Sequence, residues 1–209
     1  MKIKFLYNNL KSAYLLFYNK MTNSKIVSLN ITKSEHQTKV WRQTQPWYKN
    51  GKSNECELFQ RNIVENITNL KCLKSNIRLN TDTLAFEDKK YPMKDIDGFD
   101  WTEDFDGYQE INNLKLYMNL KMICDKGGSQ TRTLREVYHF VKTQLEYLLL
   151  HPEIKDTYFM NILDGDESFR NIDKFQYLLS KEKYISIKDY VFVGNMEDFS
   201  SKFDLLSNK

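Results

Sequence analysis

The sequence predicts a mixed α/β domain, a central mixed sheet flanked by helices, on three observations. Leu114 to Cys124 alternates with period two, Leu134, Val137, Val141, Leu145 and Leu148 recur at helical spacing, and further short apolar runs alternate with helical patterns to the end of the chain. Residues 53–209 form this domain. Residues 1–52 are a basic N-terminal segment, helical or irregular, in which Met1 to Met21 is fairly apolar but interrupted by Asn8, Asn9, Lys11 and Asn19. With no small-residue cleavage site after it, that stretch is neither a signal peptide nor a membrane span; an amphipathic helix is the expectation, and Met21 offers an alternative start.

Ser34 to Lys52 is polar, with Trp41 and Trp47 around Pro46 and a turn signal at Lys49 to Lys52, and reads as irregular or hinge-like, the tryptophans serving as buried anchors or, with the neighbouring lysines, as stacking platforms for bases. Asn54 to Leu70 places Leu58, Phe59, Ile63 and Ile67 on one helical stripe behind a possible Asn54 cap. Ile77 to Phe86 alternates loosely and supplies a strand. An acidic stretch follows, Asp95, Asp97, Asp100, Glu103, Asp104, Asp106 and Glu110, without an intervening basic residue. It is no EF-hand, because Phe99 and Asp100 fall where a ligand and the glycine belong. In the strand Leu114 to Cys124 the even positions are wholly apolar, so Lys121 lies on the other face beside Asn119. Gly127-Gly128 makes a turn, and Ser129 or Thr131 caps a helix that His151-Pro152 stops near Leu150. Thr157 to Leu163 is a strand ending in the acidic loop Asp164 to Glu167, Asp173 to Leu179 a helix, Tyr190 to Val193 a strand, and Met196 to Leu206 a final helix.

The 209 residues suit one domain with one site, and the low Gly and Pro content excludes a collagen-like or disordered chain. The net charge of +3 conceals an asymmetry: residues 1–86 carry 14 basic and 5 acidic side chains, and the remainder 17 and 23. Such a split pairs a polyanion-attracting half with a carboxylate-rich half, or simply neutralises across the fold. Cys56, Cys72 and Cys124 lack metal-ligand spacing and are odd in number, which argues against zinc and a disulfide framework and for free thiols in a reducing, cytoplasmic compartment.

One constellation can carry chemistry. A carboxylate entering one strand and a lysine on the next, both facing a cleft, support metal-dependent phosphodiester hydrolysis: the carboxylate holds Mg²⁺ and the lysine orients water and offsets negative charge. Asp106 lies fifteen residues before Lys121, a hairpin's separation. The next helix adds Arg132, Arg135 and Glu136, two of the chain's six arginines beside Gln130. The structural alternatives are a solvated Lys121, a Glu136 paired on the helix surface with Arg132 or Lys142, and a core-edge His139.

The stretches WTEDFDG, NLKMICDKGGSQTRTLREVYHFVKTQL and YFMNILDGDES resemble type II restriction endonucleases of the PD-(D/E)xK nuclease superfamily over about half the chain. The resemblance implies a restriction-endonuclease-like core and Mg²⁺-dependent cleavage of double-stranded DNA at a short specific sequence by a homodimer without membrane association. It places Asp106 as metal ligand and Lys121 as catalytic lysine. Asn119 stands where the family has a metal-binding Glu or Asp; Glu136 on the neighbouring helix, or Glu110 or Glu103, is then the second carboxylate. Gln130, Arg132 and Arg135 are the implied DNA contacts, and Asp164 to Glu167 a support or second metal region. The alternative is a catalytically inactive DNA-binding or interaction module that keeps the fold.

Overall fold

The computed structural model describes residues 37–88 and 102–207. The expected helix within Met1 to Met21 and the residues Asp95, Asp97 and Asp100 lie outside them. The order is α1 (Gln37–Gln43), α2 (Ser53–Thr68), β1 (Ile77–Asn80), β2 (Phe86–Asp88), β3 (Thr102–Asp104), β4 (Gly107–Ile111), β5 (Leu114–Met122), α3 (Gly128–Leu150), β6 (Thr157–Asp164), α4 (Asp166–Leu179), β7 (Val191–Gly194) and α5 (Met196–Ser207).

A four-stranded sheet runs β4-β5-β6-β7. Strands β4 and β5 are antiparallel, with Gly107 opposite Met118, whereas β6 is parallel to β5 and β7 to β6. The alternation of β5 sorts the layers. Leu116, Met118 and Leu120 pack with Val64 of α2 and Met196, Phe199 and Phe203 of α5. Tyr117 packs on the opposite face with Phe140, Val141 and Leu145 of α3 and Phe175 of α4. Helices thus cover both faces, as a sheet with parallel strands requires. All five residues of the predicted α3 stripe are buried, and β6, covered on both sides, is buried along its whole length.

Local features depart from the sequence reading: α3 is preceded by Gly127 as its cap, not Ser129 or Thr131, α2 by Lys52, not Asn54, and Leu58 of the expected α2 stripe is exposed. The strand expected over Ile77 to Phe86 is a β1-β2 hairpin, which turns because Asn80 Oδ1 accepts the backbone N–H groups of Asp82 and Thr83 and Leu84 adopts a left-handed conformation. It joins β3 in a second, antiparallel sheet. Strand β4 was not anticipated; its connection to β5 is the pair Asn112-Asn113, both at positive φ (49° and 65°), which Asn tolerates and tight hairpin turns require. Finally, Asp164 to Glu167 is no loop. Asp164 ends β6, and α4 starts at Asp166, seven residues before the expected Asp173, with Asp166 and Glu167 in the first turn where carboxylates suit the helix dipole. Gly165 between them has φ 100°, and a Cβ there would lie 2.3 Å from the carbonyl oxygen of Ile123.

The polar segment before α2 contains α1, and it is fastened to the sheet's helices. Thr38 donates from Oγ1 and its backbone N–H to Asp166 at 2.8 and 3.2 Å, Lys39 pairs with Asp125, and Trp41 and Trp47 pack on Phe59 of α2. The three cysteines are free and buried. Burial pushes the Cys72 and Cys124 thiols up to about 12, leaving them protonated and inert.

Candidate active site

Asp106 precedes β4, its backbone N–H held by the carbonyl of Met118. The antiparallel register brings its side chain against the end of β5: Oδ2 accepts from Lys121 Nζ at 2.7 Å and from the backbone N–H of Leu120 at 2.8 Å. The pair is partly buried in a cleft of about 360 Å³ at the carboxyl end of β5, lined also by Glu57 of α2 and Gln130 and Thr133 of α3. Open α/β sheets place ligand sites at such strand ends.

Glu57 was not among the expected site residues. It ion-pairs with Arg61 at 3.3 Å, and its carboxyl is pushed above the usual range by burial and by the Asp106 carboxylate, against Arg61, Lys74 and Lys121. Two carboxylates facing one cleft with a lysine between their fields are an arrangement a cation relieves. The signal was in the helix periodicity. Glu57 and Gln60 lie seven and four residues before the fully buried Val64, on the inward stripe, where a polar side chain is retained only with a partner.

Gln60 is that partner's anchor. Its Nε2 donates to Asp164 Oδ2 at 2.8 Å and to the Lys121 carbonyl at 3.2 Å, tying α2 to the ends of β5 and β6 one turn from Glu57. Asp164 also accepts the Met196 N–H on Oδ1. It is therefore a support beneath the cleft that joins α2, β6 and α5, and burial pushes its carboxyl up to about 6 despite those bonds.

The remaining expected residues separate. Asn119 shares the Lys121 face but is only 2% exposed under α3, where its Nδ2 donates to Asn161 Oδ1; Asn161 and Gln144 exchange amide hydrogen bonds at 2.7 and 3.1 Å. The structure does not bring Asn119 to the cleft. The cause is its register opposite Asn161, which draws the amide into a buried network. Glu136 is exposed and faces a neighbouring groove with Glu103 and His139, without an ion pair to Arg132 or Lys142; His139 is exposed and not at the core edge. Much of Glu103 is open to solvent, yet its carboxyl end is desolvated, and this raises its pKa against the pull of Lys121, with Glu136, Asp104 and Asp106 adding to the rise. Glu110 pairs with the Tyr108 hydroxyl on β4. Gln130 lines the cleft, whereas Arg132 and Arg135 are exposed on the outer side of α3.

Among the described residues no three His, Cys, Asp or Glu side chains form a ready-made metal cage. The donors fit a looser requirement: Mg²⁺ keeps most of its waters and is held by one or two carboxylates plus substrate oxygens. Asp106 Oδ1 makes no hydrogen bond to a described residue, and Glu57 shares its cleft. No helix among the described residues is long and apolar enough to cross a membrane. Compared with known protein families, curated proteins and solved structures, the chain matches none.

Proposed function

We propose that the protein is a Mg²⁺-dependent endonuclease that hydrolyses phosphodiester bonds of double-stranded DNA at a short specific sequence, in the manner of type II restriction enzymes. The observation that carries the reading is the 2.7 Å contact between Asp106 and Lys121 on adjacent strands at the mouth of a cleft. An antiparallel hairpin followed across a helix by a parallel strand is compatible with a restriction-endonuclease-like core; Gln130 offers a donor to DNA in the cleft, and Arg132 and Arg135 offer exposed donors from the first turns of α3.

In this reading Asp106 and Glu57 hold the metal. Bound Mg²⁺ would polarise the phosphate and lower the pKa of the attacking water. Lys121, an ammonium with three donors, exchanges its Asp106 contact for the nucleophile and the phosphate oxygens, orienting the one and offsetting charge on the other. The Leu120 N–H keeps Asp106 in place while Lys121 moves. Gln60 holds α2, and with it Glu57, against the Lys121 backbone. A two-fold homodimer is the arrangement that would cut both strands of a palindrome.

The test is incubation of plasmid with purified protein and Mg²⁺. Discrete fragments lost in EDTA and in Lys121→Ala support the reading, and cutting that survives the substitution overturns it. A second reading, a DNA-binding module without catalysis, is favoured by the amide at Asn119 and by the lack, among the described residues, of three clustered metal-ligating side chains. It predicts salt-sensitive binding with no cleavage under any divalent metal.

A further inference from the structure

We infer that Arg42 and Lys52 form a phosphate-binding subsite on the α1-α2 side of the cleft, taking a backbone phosphate of duplex DNA next to the one at Asp106 and Lys121. The location relative to the cut phosphate rests on the nuclease reading; the anion-binding chemistry does not.

Arg42 lines the same cleft as Asp106, Lys121 and Glu57. Its guanidinium lies 4.7 Å from the centre of the Tyr48 ring, and Nη1 contacts only the Cys56 sulfur, a weak acceptor, at 3.8 Å. Nε is buried, with no hydrogen-bond partner among the described residues. Arg42 makes no ion pair with a described carboxylate, although two line the cleft. A half-buried guanidinium with its Nε donor buried and orphaned and the others nearly unused offers those donors to acceptor oxygens of a ligand. Its planar fork matches phosphate bidentately, and the Tyr48 face fixes the plane.

The surroundings suit an anion. Lys52 stands on the same wall, and the Gln130 amide opposite has no partner among the described residues. Helix α1 is anchored by Thr38 to Asp166, by Lys39 to Asp125 and by Trp41 on Phe59, so Arg42 is held in place before any ligand arrives. The cleft lining thus combines Asp106, Glu57 and Lys121 with the cations Arg42 and Lys52, the latter beside Glu55, whose carboxylate accepts the Lys52 backbone N–H at 3.3 Å. A phosphodiester chain, which presents phosphates at regular intervals, spans both sets; an isolated phosphate engages one.

The experiment measures binding of a short fluorescein-labelled duplex by anisotropy in EDTA, over a range of salt concentrations. Wild type is expected to bind with a linear log affinity against log salt, Arg42→Gln to bind about tenfold more weakly with a slope smaller by about one, and Arg42→Lys to recover the slope. Lys52→Gln, at an exposed position, should lower the slope likewise and carries the test if Arg42→Gln does not fold. Unchanged slopes in both variants overturn the proposal, as does wild-type protein that binds inorganic phosphate through Arg42 but no duplex. An Arg42-dependent slope in a protein that never cuts plasmid supports the subsite and sinks the nuclease reading alone.

Discussion

Asp106 grips the strand beside it twice, its Oδ2 accepting both the Lys121 ammonium and the Leu120 N–H. The backbone bond fixes the carboxylate, and the side-chain bond fixes the lysine. Lys121→Ala should therefore reduce plasmid cleavage by about a hundredfold or more, the order of a lost electrostatic group in a site. It should cost only about 1 to 2 kcal/mol of stability, because the pair is partly exposed. Cleavage assays beside urea unfolding separate the two effects.

Glu57 and Glu136 compete for the role of second carboxylate, and the geometry favours Glu57, which shares the cleft with Asp106. Glu57→Gln should raise the Mg²⁺ concentration for half-maximal cleavage by about tenfold, and Glu136→Gln should leave it unchanged. A Mg²⁺ titration in which only the Glu136 variant responds would reverse the assignment.

Asp164 predicts a pH dependence of stability. Its carboxyl titrates near 6 in the fold against an ordinary 3.8, raised by burial. The folded protein then binds the proton more tightly than the unfolded chain. This contribution is full below about pH 4 and is lost as pH rises through 6, a change of about 3 kcal/mol. Urea midpoints across this window should show the decline, and Asp164→Asn should flatten it. An equally steep decline in the variant would place the titrating group elsewhere.

The buried amides make a prediction about the core. Gln144→Leu leaves Asn161 without its reciprocal partner and should destabilise by about 1 to 3 kcal/mol, whereas a triple change to apolar residues at 119, 144 and 161, which removes every amide of the network, should recover part of the loss. Chemical denaturation of the single and triple variants measures the coupling.

The regular elements were legible because burial imposes a period. Strand β5 and helix α3 each present one apolar face, and both lie where the pattern puts them. Strand β4 was not, since Gly107 to Ile111 is short, its buried positions are Gly107 and Gln109 rather than an apolar alternation, and pairing with β5 gives it its place. The same limit applied to the site. Asp106 and Lys121 were legible because a hairpin relates them through local register. Glu57, Gln60 and Arg42 reach the cleft from helices whose docking depends on long-range contacts, and Asn119 was misjudged because its partner Asn161 lies 42 residues away. The misplaced polarity of the α2 stripe hinted at Glu57 and Gln60, and nothing in the pattern hinted at Arg42.

The Asn112-Asn113 turn has a kinetic consequence. Asp106 and Lys121 are separated by 15 residues and meet through the tightest hairpin in the four-stranded sheet, while pairing of β5 with β6 must close 42. The shorter closure is favoured by about 0.9 kcal/mol of chain entropy, and hairpins form within microseconds. The chemical centre of the cleft is thus a local unit able to assemble ahead of the parallel strands that later enclose it, so substitutions at Asn112 or Asn113 should slow folding more than they speed unfolding.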